Sequence, residues 1–238
     1  MKQRQVEMVF RTHGGKRRGA GRKPRGTRPS ERHKARPEHD SRHPVHVTIR
    51  VVGNVGGLRR RDMYLALREA TIVTAKREDF RINHMSIQRD HIHLIVEADH
   101  KTALSKGVQG FSISAARQLN KAITARGGDR RTGKVISDRF HARPLTSPRA
   151  VRNAISYTLN NWRHHGEDRA EPPRSWRVDP FSSGALFFGW QELADSPVLW
   201  PLPATYHPLI VQRPRTWLLA KGWRQHHPLI SVYEVPGR

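Results

Sequence analysis

Ser86-Ile87-Gln88-Arg89-Asp90-His91-Ile92-His93-Leu94-Ile95-Val96-Glu97-Ala98 is the stretch on which the fold turns. From His91 onward polar and apolar side chains alternate, the period of a half-buried strand. Ile92, Leu94 and Val96 then face a core, and His91 and His93 point together from the other face. Arg89-Asp90 makes a tight connection, so the run before it, Phe80 to Gln88, is expected to pair with the histidine strand as a hairpin. Two imidazoles one strand step apart can share one metal ion.

Upstream, Val45, Val47, Ile49 and Val51 alternate with His46, Thr48 and Arg50, which predicts a further strand with one polar face. Gly53 to Gly57 breaks the pattern, and Leu58 to Lys76 reads as a helix. Downstream, Leu104, Val108, Phe111, Ala115, Leu119 and Ala122 recur at spacings of three and four. They predict a long helix from Thr102 to Arg126, weakened in its first turns by Gly107 and Gly110. Gly127 to Gly133 is a polar, glycine-rich loop. Val135 to Leu145 reads as a strand region with Arg139, His141 and Arg143 on one face. Ser147-Pro148 then opens a helix, with serine as N-cap and proline at the first helical position. Val151, Ala154, Ile155, Thr158, Leu159 and Trp162 form its buried side. Tyr157 and Asn161, four apart, lie one above the other on the rest, and Gly166 ends it. This order predicts an α/β (α+β) sandwich on an antiparallel sheet of ferredoxin-like, RRM-like topology.

Residues 1–43 form a basic tail, with Lys16, Arg17, Arg18, Arg22, Lys23 and Arg25 among glycines and no hydrophobic period. Such a segment cannot bury enough to offset its ordering entropy. It is expected to be disordered when free and to contact phosphates, or else to act only as a solubilising tail. Residues 44–170 are expected to form the catalytic domain. Residues 171–238, rich in proline and tryptophan, read as an extension or small subdomain, its indoles either packing or stacking on nucleobases.

With 44 Lys and Arg against 20 Asp and Glu, the net charge of +24 argues for a polyanionic partner, nucleic acid first. The absence of cysteine excludes disulfides and cysteine-based zinc sites and is compatible with a reducing compartment. No run of about 18 apolar residues is present to span a membrane. The N-terminus lacks the apolar segment of a signal peptide. A cytoplasmic protein is expected.

Neutral His91 and His93 can hold a divalent ion, with Asn161 as the third donor and Glu97, on the same strand face, as its competitor. Nitrogen and oxygen donors do not by themselves fix the metal. Such an ion polarises a phosphate oxygen. Tyr157 is the candidate nucleophile. A free phenol ionises near about pH 10, and a nearby cation favours the phenolate. Attack on a phosphodiester gives a covalent phosphotyrosine, whose retained bond energy lets a second strand end reverse the step. Asn160 is either a helix-surface residue or a substitute ligand. His46-Val47-Thr48 resembles half of a two-histidine phosphoesterase whose other half is missing. His164-His165 reads as a basic helix end suited to the dipole there.

The histidine stretch, taken with Val151-Arg152-Asn153-Ala154-Ile155-Ser156-Tyr157-Thr158-Leu159-Asn160-Asn161, resembles the single-tyrosine HUH transposases. The resemblance is in particular to the REP-associated tyrosine transposase branch, over about residues 44 to 166. Asp179-Pro180-Phe181-Ser182-Ser183 and Pro214-Arg215-Thr216-Trp217-Leu218-Leu219 are similar to C-terminal pieces in that branch. The resemblance implies that His91 and His93 are the HUH pair and that Asn161 completes a site for Mg2+ or Mn2+. It implies that Tyr157 forms a 5′-phosphotyrosine and frees a 3′-OH. The implied partner is single-stranded DNA with a foldback hairpin beside the cut, handled by a monomer or homodimer associated with a bacterial nucleoid. Asn160-Asn161-Trp162 stands where many relatives carry Asn-Pro. Two rival readings are a non-catalytic nucleic-acid-binding protein on the same fold and a hydrolytic metallonuclease in which water attacks.

Overall fold

Alternation of β-branched and polar residues produces four strands among the residues described by the computed structural model, which are 38–127, 129–169, 176–225 and 227–237. The basic cluster from Lys16 to Arg25, expected to contact phosphate, lies outside them. β1 (Val45–Arg50), β2 (Phe80–Ile87), β3 (His91–Ala98) and β4 (His141–Pro144) form one sheet of order β2-β3-β1-β4. Each neighbouring pair is antiparallel, which is the expected ferredoxin-like arrangement. β2 and β3 make the expected hairpin.

The period-two pattern sorts the strands into two faces. Val45, Val47, Ile49, Ile92, Leu94 and Val96 bury against α1 (Arg61–Ala75) and α2 (Lys101–Gly127). His46, Thr48, Arg50, His91, His93 and Ile95 occupy the other face, with Thr48 opposite His93 and Arg50 opposite His91. α3 (Pro148–His164) lies over that polar face, capped as expected: the Ser147 hydroxyl oxygen accepts from the Ala150 N–H. Ile95 is the apolar anchor among the histidines. It packs with Val151, Ile155 and Leu159 of α3 and with Phe187, Trp190 and Trp223. Full burial of one such side chain contributes about 1.5–3 kcal/mol, so Ile95 helps hold α3 against the histidine strand.

The C-terminal stretch, expected as an extension or small subdomain, shares this second core with α3. Ser182 bridges to Ser86 at the β2 edge, and Trp190 to Ile230. Trp190 and Trp223 are buried, whereas Trp217 is exposed. Leu218–Gly222 forms a short helical turn that buries Leu218 and Leu219.

The fourth strand is shorter than expected. Ile136 makes an isolated bridge with Val51, and only His141–Pro144 pairs with β1. Ser137 is drawn to the Arg50 carbonyl, and the Arg139 N–H is taken by the Asp138 carboxylate. The backbone bends there, so Arg139 precedes the strand and is not in register with His141 and Arg143. Among the described residues no helix is long and apolar enough to cross a membrane.

Candidate active site

β3 brings His91 and His93 to the covered face with ring centroids 4.7 Å apart. Both are buried, at 7% and 3% exposure. Each ring is held at Nδ1. The Asp90 carboxylate lies 2.6 Å from His91 Nδ1. The Thr48 hydroxyl and His46 Nε2 each lie 3.2 Å from His93 Nδ1. A proton on Nδ1 leaves Nε2 with its lone pair, the arrangement that outer partners impose on metal-binding histidines. His93 Nε2 is buried without a hydrogen-bond partner. Burial drives its pKa down from 6.5 to about 2, with His46, His91, His165 and Arg50 adding to the push. The ring is therefore neutral at neutral pH, as a metal ligand must be.

α3 supplies the remaining parts. The Tyr157 ring meets His93 edge-on at 5.1 Å and His46 at 5.8 Å. Burial raises the Tyr157 pKa, and Arg50 only partly opposes this. The phenol thus stays protonated until a cation or base assists it. One turn on, Asn161 is fully buried, and neither its Oδ1 nor its Nδ2 has a partner. A buried, unsatisfied carboxamide is uncommon. Together with the free His93 Nε2 it fits a divalent ion that takes nitrogen and oxygen donors. The described residues hold no group of three or more His, Cys, Asp or Glu side chains that could bind one, so a third donor would be of another type, of which the Asn161 amide is the candidate.

Several expectations change. Glu97 is at the other end of β3, and both its oxygens are engaged. They accept from the backbone N–H groups of Arg215 and Thr216, from Arg81 and from Asn83. It anchors the C-terminal stretch, so its candidacy as third ligand gives way. The Asn160 amide donates to the Ser231 carbonyl, another such anchor. His141 and Arg143 are exposed and line the same cavity as Tyr157, about 730 Å³ in volume, whereas Arg139 does not. Three participants were not legible as such. His46 stacks on His93 at 5.2 Å, Gln88 lies buried beside the pair, and the His165 ring stands 5.5 Å from His91. The β1 alternation put His46 on a polar face, but only the strand order sets it beside His93.

This is an α+β protein whose sheet carries a histidine pair under a helix-borne tyrosine. The profile of the family described as "Transposase IS200 like" matches residues 41–155. Over those residues, just under half of the chain, the sequence is similar to the IS200-like transposases. The match takes in all four strands and ends two residues before Tyr157. Among curated proteins no sequence matches. Among solved structures, the chain is similar to a REP-associated tyrosine transposase bound to a REP hairpin. Identity is 18%, coverage 78% of this chain and 99% of that one, and the TM-score 0.46. It is also similar to a bacterial tRNA(His) guanylyltransferase-like protein in complex with GTP. There identity is 18%, coverage 56% and 66%, and the TM-score 0.40.

Proposed function

We propose that this protein is a metal-dependent single-strand DNA endonuclease and strand transferase of the REP-associated tyrosine transposase kind. The observation that carries the reading is the Tyr157 ring against His93, beside a buried Asn161 amide and a His93 Nε2 that lack partners. His91, His93 and Asn161 would hold Mg2+ or Mn2+. When bound, such an ion would polarise the scissile phosphate and favour the phenolate. Tyr157 Oη then attacks phosphorus, the bond to the 3′-oxygen breaks, and the chain keeps the 5′ end as a phosphotyrosine. His141 and Arg143, on the wall of the tyrosine cavity, are placed to meet the DNA backbone.

The test is a denaturing gel of the protein incubated with manganese and labelled single-stranded hairpin DNA from the flanks of its own gene. Label that travels with the protein and disappears in Tyr157→Phe establishes the nucleophile. Cut DNA without an adduct assigns the attack to water. Binding without cutting points to a non-catalytic DNA-binding protein.

A further inference from the structure

Along α3, three side chains follow at intervals of four residues: Tyr157 beside His93, then Asn161, then, just past the helix end, His165 beside His91. Eight helical residues rise about 12 Å, so the tyrosine and His165 mark opposite ends of the histidine pair. A cavity lies at each end, and the two share no residue. The first holds Tyr157 with His46, His141 and Arg143. The second, about 520 Å³, lies beyond the start of β3 between the Gly53–Gly57 loop, Gln88, Arg89, His91 and His165, with the Asp90 and Glu167 carboxylates also on its wall. Its volume is in the range of small-molecule sites.

The second cavity carries a polar group that is only half satisfied. Gln88 is 1% exposed; its Nε2 donates to the Ser86 hydroxyl, and its Oε1 has no partner. The loop opposite is bare: a Cβ at Gly53 would meet nothing within 4 Å, so packing does not require glycine there, whereas Gly56, at φ +80°, is set by the turn. Arg89 stands exposed at the rim.

In phosphoryl transfer the attacking and leaving oxygens lie roughly in line on opposite sides of phosphorus. With Tyr157 at the His93 end, the leaving oxygen faces the His91 end. Resting on the function proposed above, we propose that the Gly53–Gly57/Gln88/His165 cavity binds the nucleotide that bears the leaving 3′-oxygen. Gln88 Oε1 accepts a hydrogen bond from an N–H of its base, and Arg89 meets its phosphate. In cleavage the Tyr157 O–P bond forms, the P–O3′ bond breaks, the phenol loses its proton and the 3′-oxygen gains one. Rejoining is the reverse, so the same cavity selects which 3′-OH strand is taken back.

The experiment uses the full chain and a hairpin substrate whose leaving strand is short enough to dissociate after the adduct forms. Single-stranded oligonucleotides with a 3′-OH, ending in each of the four bases, are then added, and adduct reversal is followed against their concentration. Gln88→Leu is expected to raise the half-saturating concentration about tenfold, the effect of losing one well-made hydrogen bond, and to flatten the preference for the terminal base. Arg89→Ala, an exposed change that does not threaten folding, is expected to raise it with a shallower salt dependence. In a Tyr157→Phe protein, 4-thiothymidine placed just 5′ of the cut is expected to crosslink within residues 51–57 or 88–90. Unchanged half-saturation and base preference in both variants overturns the assignment, as does crosslinking confined to residues 141–157 or 234–237. A wild-type protein that forms no adduct overturns the proposed function itself, and this inference with it.

Discussion

His93 and Tyr157 are both moved by burial, and each is moved toward its neutral form. Under the proposed function, the neutral form is the one in which His93 would bind a metal, and for Tyr157 it is a resting state that a cation would relieve. Tyr157→Phe is therefore expected to abolish the covalent adduct while DNA affinity, read by fluorescence anisotropy, changes less than about twofold, because only a hydroxyl is removed. His84, packed edge-on against Phe187, gives a cleaner view of the same physics. Burial lowers its pKa from 6.5 to about 4. Between those values the unfolded chain binds a proton that the native chain refuses. Stability is thus whole above pH 6.5 and falls as the pH drops toward 4. The loss from this residue is about 1.4 kcal/mol per pH unit, or roughly 3 kcal/mol across the window. Urea unfolding at pH 7 and pH 4.5 should show His84→Leu losing less stability on acidification than the wild type by about that amount.

At the scale of elements, α2 separates two glycines that look alike in the sequence. Both read as weak points in a helix. A Cβ on Gly110 meets nothing within 4 Å, whereas on Gly107 it falls 2.2–2.6 Å from the buried ring of Phe80 on β2. Gly110→Ala is expected to stabilise by about 1 kcal/mol, the helix-propensity difference. Gly107→Ala is expected to destabilise despite that gain, since overpacking a filled core costs about 1–3 kcal/mol. Thermal melts of the two variants should move in opposite directions; parallel shifts would refute the packing role of Gly107. The short β4 carries the same lesson. An alternating run from Val135 to Leu145 is pattern enough for a strand, yet side-chain hydrogen bonds at Ser137 and Asp138 bend it until only four residues pair.

Across the whole molecule, the C-terminal stretch is held to the sheet by polar anchors as well as by indoles. The buried Glu97 carboxylate gathers Arg81, Asn83 and two backbone N–H groups of residues 215–216. Glu97→Gln removes the buried one of the two carboxylates that Arg81 pairs with, leaving Asp99, and faces an amide N–H2 against donors. A cost of about 3 kcal/mol is expected, with faster hydrogen exchange localised to residues 212–217. Unchanged exchange there would show that the anchor is incidental. Local pattern alone was enough for the strand and helix order, the two faces of β1 and β3, the Ser147 cap and the pairing of Tyr157 with Asn161 on one helix face. All of these follow from periods of two and 3.6 and from capping chemistry, which act between near neighbours in the chain. Only the tertiary structure decided that His46 stacks on His93, that Glu97 binds a segment more than a hundred residues away, and that Gln88 and His165 border a second cavity. Those contacts depend on which strand lies beside which and on how the C-terminal stretch closes over α3, and no local pattern encodes either.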